Sequence, residues 1–511
     1  MIGKFLLKIE SLVSANKVIL IVLLGAFLLR LPSLFEPLWY IDEAIYVVVG
    51  QEINRGSLLY SQIFDHKTPG IYYLAARSTK LLGHTIWSFK FLLLTWMLPS
   101  LIAFYVLGKK LFDKKIAIAS LVVLAILTST IPLEGNLVNS ELLMILPSSL
   151  GILLGLNKRY FAAGLLFSAS FLLKFTGIFD FGAFFVFLIL SVRAGEILST
   201  VKNLFRLSFG WIVPILVVSL YFFIEGGFSA YINSILFYNV SYTSYGNSFL
   251  FSNSLLVLKL LPVFIVFAFF AARGFINFRK TGDTKFSNFD FLIIWLSFTF
   301  YAAVFGGRPY EHYLIQAVPA FSLIIGAILF NKSFLKVGLA AIILVSVLVP
   351  VLEFRPRIDF GHYYFNFFKF VAGKTNFEEY TAGFGQQIPI NYAIASYVSG
   401  CAVYTQGDSC IIQRTQDGDK LYIFANEPAV YFLSGLQPAS KYITFFHLAG
   451  TEASRKEASR SIAKNKPGFI LVQKPKPGDF PELEKIINSD YNLVTYYENF
   501  VIYQLKESLQ Q

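Results

Sequence analysis

The sequence predicts a polytopic α-helical membrane protein followed by a water-soluble α/β domain. Three observations carry that expectation. Of 511 residues, 56% are hydrophobic and 14% charged, with a mean hydropathy of +0.61, a composition too apolar for a soluble enzyme. The apolar residues are gathered in runs near the ~20 residues with which a helix crosses a bilayer. After Leu352 the character changes: residues 353–511 hold 16 Lys and Arg against 16 Asp and Glu, and strand-like and helix-like stretches alternate. The expected domains are therefore 1–352 in the membrane and 353–511 outside it.

Apolar runs lie at 17–34, 86–107, 116–132, 141–156, 160–174, 176–192, 207–224, 255–272, 289–305, 312–330 and 337–352, about eleven crossings. The pair 160–174 and 176–192 is short. Fusing it into one helix would put Lys158 and Arg159 on the opposite side from Arg193, Lys202 and Arg206, which the charge pattern opposes. The first run lacks the small-residue cleavage site of a signal peptide and leads directly into Arg30, Leu31 and Pro32.

The net charge of +12 lies wholly in residues 1–352, which carry 27 bases and 15 acids. Eighteen of those bases and five acids fall in loops on the side of the N-terminus; nine bases and ten acids fall on the other. By the positive-inside rule the N-terminus is cytoplasmic, and an odd number of crossings puts the C-terminal domain outside the plasma (inner) membrane. Dispersal of the bases over short loops excludes a nucleic-acid stripe and fits contact with anionic lipid headgroups.

Residues 35–85 form a long first outer loop. Ile45, Val48, Val49 and Ile53 repeat with helical spacing within Asp42–Ile53, and Ile71–Leu82 does so again, predicting two interfacial helices with a turn at Gly56 and Ser57. Asp42 and Glu43 open the first helix, where its N-terminal dipole stabilises carboxylates. Asp65, His66 and Lys67 form a second cluster before Thr68-Pro69-Gly70. An N-cap role for Asp42 and a snorkelling Lys67 would be the plainest explanations, but they leave the length of the loop without a reason. Two more outer stretches carry ionisable residues: Glu134-Gly135-Asn136 continuing to Glu141, and Arg308-Pro309-Tyr310-Glu311-His312-Tyr313. Lys, Arg and His on one face with several carboxylates describe an anion site beside a general base.

At these residues the chain resembles a GT-C glycosyltransferase of the dolichyl-phosphate-mannose protein mannosyltransferase superfamily, in the bacterial branch of glycosyltransferase family 39. The resemblance covers nearly the whole chain and rests on WYIDEAIYVVVGQEINRG, DHKTPGIYYL, NSELL, GLLFSASFLLKFTG, GGRPYEHYLIQAVPA and NEPAVYFLSGLQPASKY. It implies a GT-C fold and inverting transfer of one sugar from a polyprenyl-phosphate carrier to a glycan, lipid or protein acceptor at the outer membrane face. Asp42 matches the acidic residue thought to act as catalytic base, with Glu43 beside it. Lys67 matches the lysine that contacts the carrier phosphate, with His66 next to it. Arg308 and His312 match a segment bordering the same cavity, which Asp65, Glu141, Lys174, Tyr310 and Tyr313 are expected to line. Related aminoarabinose transferases have an arginine where this chain has Ile45 and a second proline where it has Thr68, so headgroup and acceptor are not carried over.

The chemistry agrees with that reading. A sugar on a lipid phosphate already has a good leaving group, so the protein must neutralise the departing phosphate and deprotonate the incoming hydroxyl; Lys67 and Arg308 suit the first task and Asp42 the second. If the acceptor were itself a phosphate, Asp42 would act by orientation. A divalent metal near His66, Glu43 or His312 is compatible with these residues but not required, since no ligand spacing demands it.

In the C-terminal domain, Lys420–Asn426, Tyr442–Phe446, Gly468–Gln473, Asn492–Tyr497 and Phe500–Leu505 read as strands, the last two as a hairpin, and Ser454–Lys464 and Pro481–Asn488 as helices. Acceptor recognition, a lid and a structural cap are the alternatives for its role. Cys401 and Cys410, the only cysteines, lie in this domain on the side where disulfides persist; a disulfide and two free thiols both remain open. The rival function is a lipid or sugar transporter or flippase, which would place ionisable groups at mid-membrane in two repeated halves, and no repeat is found. A membrane-anchored receptor would need neither eleven crossings nor the long loop.

Overall fold

The computed structural model describes residues 17–192, 195–239, 261–281, 286–352, 354, 358–400, 419–448 and 452–506. The chain forms two compact units: Met1–Leu31, Leu93–Tyr221 and Ile235–Phe360 make one, and Pro32–Leu92, Phe222–Ser234 and Gly361–Gln511 the other.

The first unit is helical because its residues are apolar around nearly the whole helix circumference, and only a helix satisfies every backbone group within one segment in lipid. Six helices among the described residues are long and apolar enough to cross a bilayer: Lys17–Phe35, Ile86–Leu111, Ile197–Ile224, Asn288–Phe305, Glu311–Phe330 and Lys332–Val351. Shorter apolar helices include Ser140–Leu156 and Tyr160–Leu173. The protein is an integral, multi-pass membrane protein. Leu216, Val217 and Leu220, and Ile343, Leu344 and Val347, point outward as lipid-facing side chains. Tyr160–Leu173 and Ile178–Leu190 are separate helices, parted at Lys174 in extended conformation and a 3-10 turn at Phe175–Gly177. Buried Arg30 ties the first helix to the end of Lys114–Ser129, donating to Ser129 Oγ at 2.7 Å, to Gly135 O at 3.3 Å and to Thr128 O.

In the second unit the two helices expected in the first loop form at Ile41–Asn54 and Gly70–Leu82, and Gly56 turns the chain between them at φ +94°. They cross where Gly50 meets Ala75 and Ala76: a Cβ on Gly50 would stand 2.6 Å from Ala76 N. Residues 361–506 of the same unit carry a five-stranded sheet of β1 (Lys420–Phe424), β2 (Gln437–Pro438), β3 (Phe469–Gln473), β4 (Tyr491–Tyr497) and β5 (Phe500–Leu505), ordered β2-β1-β3-β5-β4. β1 pairs parallel to β2 and β3, and β5 runs antiparallel to β3 and β4, so the expected terminal hairpin is present. Helices Glu452–Asn465 and Pro481–Asp490 fall where their sequence periodicity puts them.

One expected strand is corrected. Tyr442–Phe446 is an irregular segment running into a 3-10 turn at Phe445–His447. Its side chains Tyr442, Ile443 and Thr444 are buried in succession rather than alternately. Its backbone bonds outside any sheet ladder, Phe445 N donating to Ala425 O and Phe446 N to Asn426 Oδ1, and Lys441 O just before it accepts from Phe64 N on the first-loop segment.

Candidate functional site

The residues read from the first outer loop converge. Asp42 sits in the first turn of Ile41–Asn54, whose N-cap is Tyr40, so capping is not its role. Its carboxylate pairs with Lys67 Nζ at 3.1 Å, and both side chains reach solvent, Asp42 being 27% and Lys67 13% exposed. Lys67 Nζ also stands 3.8 Å from Asp65 Oδ2 and 4.9 Å from the centre of the Tyr46 ring. Its backbone is held on both sides: Tyr60 OH donates to Lys67 O at 2.8 Å, and Lys67 N donates to Tyr72 OH at 3.3 Å.

Asp65 is fully buried. Its Oδ2 accepts from Tyr72 OH at 2.5 Å; its Oδ1 accepts from His66 N at 2.8 Å and lies 2.8 Å from His66 Nδ1 and 3.2 Å from His447 Nε2. Burial by itself would raise the Asp65 carboxyl, but Lys67, His66 and the hydrogen bonds from His447 and His66 hold it well below the ordinary carboxylate range. Burial lowers the His66 imidazole against the pull of Asp65.

Glu43 is placed away from that pair. It is buried and pairs with Lys90 Nζ at 2.8 Å, while Lys90 pairs with Glu36 at 3.0 Å. Glu36 also accepts from Trp39 Nε1 at 3.0 Å and from Tyr363 OH. This buried group anchors the helix turn that carries Asp42.

The remaining candidates belong to the first unit. His312 Nδ1 bonds Glu134 Oε2 at 2.6 Å and its ring stacks on Tyr310 and meets Tyr313 edge-on. Lys174, at the break between helices, pairs with Glu141 and stands 3.9 Å over the Tyr313 ring. Arg308 occupies the bend between Asn288–Phe305 and the 3-10 segment Glu311–Ala317 and is half-buried. Cys401 and Cys410 lie outside the described residues.

Sequence reasoning missed His447, Tyr72, Glu36 and Lys90. Lys90 had a signal: it is an isolated cation inside the apolar run 86–107, and intramembrane charges are usually paired or functional. His447 had none, being 382 residues from Asp65 along the chain.

The fold that carries these residues is of the GT-C type. Over 95% of this chain and 97% of the other, it matches ArnT from Cupriavidus metallidurans bound to undecaprenyl phosphate, with a TM-score of 0.59 at 13% identity. The apo structure of the same ArnT matches over 97% of this chain and 99% of that one, with a TM-score of 0.58 at 14% identity. Residues 66–222 match the family model described as dolichyl-phosphate-mannose-protein mannosyltransferase. No curated protein matches the sequence. The resemblance to GT-C glycosyltransferases of the protein mannosyltransferase superfamily therefore holds at two levels, a family model over part of the chain and a shared fold over nearly all of it.

Proposed function

We propose that the protein is an inverting glycosyltransferase that moves one sugar from a polyprenyl-phosphate carrier to a hydroxyl or phosphate of a glycan, lipid or protein acceptor at the outer face of the plasma membrane. The observation that carries this reading is the Asp42–Lys67 pair, a solvent-reaching carboxylate and ammonium 3.1 Å apart. It sits in a chain whose fold is shared with a protein solved with undecaprenyl phosphate. Lys67 would accept the carrier phosphate in exchange for its contact with Asp42 and stabilise the charge that grows as the C–O bond to the sugar breaks. Asp42, so released, would take the proton of the acceptor hydroxyl. Asp65 and Tyr72 hold Lys67 in place, and Glu43 serves by anchoring the helix through Lys90. His66 is assigned beside the phosphate-binding lysine. The parts assigned to Arg308 in phosphate binding, and to Glu141, Lys174, Tyr310, His312 and Tyr313 in the cavity, rest on the sequence pattern. The same reading makes residues 1–352 the membrane domain, with a cytoplasmic N-terminus, and 353–511 an outer domain.

The test is carrier release by the purified protein supplied with polyprenyl-phosphate sugars. Asp42→Asn is expected to lower kcat by about 10²–10⁴-fold with a hydroxyl acceptor, and Lys67→Ala to abolish turnover. Full turnover in Asp42→Asn would remove the base; absence of turnover with every carrier sugar, together with saturable solute uptake into vesicles, would favour a transporter.

A further inference from the structure

We propose that Asp65, His66 and His447 form a site for one divalent transition-metal ion, zinc by its chemistry, which clamps the first outer loop to the segment ending in His447. One donor atom from each residue lies within 4.8 Å of the others, and all three residues are buried. Asp65 Oδ1 is 2.8 Å from His66 Nδ1 and 3.2 Å from His447 Nε2. The edge of a tetrahedron with metal–ligand bonds of about 2.0–2.1 Å is about 3.3 Å; Asp65 Oδ1 lies near that distance from both rings, and the widest donor separation, within 4.8 Å, closes as the ion binds.

The surroundings of Asp65 point the same way. The two oxygens of Asp65 divide their work: Oδ2 faces Tyr72 and Lys67, while Oδ1 faces both imidazoles, leaving one oxygen for a metal without disturbing Lys67. That Oδ1 takes hydrogen bonds from His66 N and His447 Nε2 and lies 2.8 Å from His66 Nδ1, a crowding that an ion would relieve by taking both ring nitrogens as ligands. Two imidazoles and one carboxylate favour zinc over magnesium or calcium. The fourth position would be taken by water.

The binding neither needs nor implies transferase activity, so its test is separate. The full-length protein in detergent is incubated with zinc chloride, desalted and assayed by elemental mass spectrometry. Wild type is expected to retain about one zinc per chain, and His447→Ala about a tenth of that or less. His447→Asn keeps an amide that can donate to Asp65 but is a poor ligand, and is expected to lose the metal too; His447→Cys is expected to keep it. A strong chelator should lower the melting temperature of wild type and leave that of His447→Asn unchanged. Wild type free of metal after desalting, or His447→Asn binding as much as wild type, would overturn the site in favour of a plain hydrogen-bonded His–Asp–His group. Should His447→Ala fail to fold, the chelator response of wild type decides alone: no shift rejects the clamp.

Discussion

Lys90 is fully buried and faces two carboxylates, Glu36 and Glu43. Lys90→Met would leave both acids in a dry environment without their cation, a change of the kind that costs about 3–5 kcal/mol. A large fall in melting temperature is expected, and a variant as stable as wild type would show the group to be more hydrated than its burial indicates. Glu427 offers a pH-dependent counterpart. It accepts from Asn391 Nδ2 at 2.6 Å, but burial pushes its carboxyl up to about 7 against that hydrogen bond. A carboxyl raised in the folded state contributes stability that is complete below its unfolded value near 4.5 and is lost as pH rises through about 7. The loss is of the order of 3 kcal/mol at most. Melting temperature is therefore expected to decline between about pH 4.5 and 7, and Glu427→Gln should flatten that decline; an unaltered profile in the variant would assign the decline to other groups.

Among the elements, the two first-loop helices are bound by a backbone contact that tolerates no side chain. A Cβ at Gly50 would lie 2.6 Å from Ala76 N and 3.0 Å from Ala75 C, atoms that cannot rotate away. Gly50→Ala is expected to destabilise by about 1–3 kcal/mol, and, because Asp42 and Lys67 flank this crossing in the chain, to reduce carrier release at temperatures where the protein is still folded. Unchanged melting and turnover would mean that the helices slide apart freely. The same scale explains where periodicity worked and where it failed. Gly70–Leu82 repeats apolar residues at helical spacing because it has one wet side, at Arg77 and Lys80, and one dry side, whereas Ile41–Asn54 is buried on every side from Glu43 to Glu52 and does not lie flat as an amphipathic helix. Tyr442–Phe446 looks like a strand because its residues have high β-propensity, but it is buried in succession by the first loop and by Ala425 and Asn426, and forms no ladder.

On the scale of the whole molecule, the second unit joins residues far apart in sequence: Phe64 N to Lys441 O, Arg55 Nη2 to Gly435 O, His84 Nε2 to Phe432 O and Asp65 to His447. A chain ending at residue 352 would lose all four partners, and its loop from Arg55 to Pro69 is expected to be cut by protease much faster than in the full chain. Equal cutting rates would mean that the loop folds unaided. The orientation read from charge predicts that alkaline phosphatase fused after residue 511 is active outside the cell, and inactivity of that fusion beside an active cytoplasmic reporter at the same site would reverse the topology.

The sequence by itself determined the membrane class, the apolar helices, the positions of four of the five strands with their terminal hairpin, and the cluster of Asp42, Asp65, His66 and Lys67. Those depend on composition, period and residues within one loop, which are local properties of the chain. Only the tertiary structure decided that Glu43 turns inward to Lys90 while Asp42 turns to Lys67, though the two acids are adjacent. Neighbouring positions on a helix point about 100° apart, and which of them meets solvent is set by what packs against the helix. The tertiary structure also brought His447 to Asp65, because a contact across 382 residues leaves no trace in local pattern.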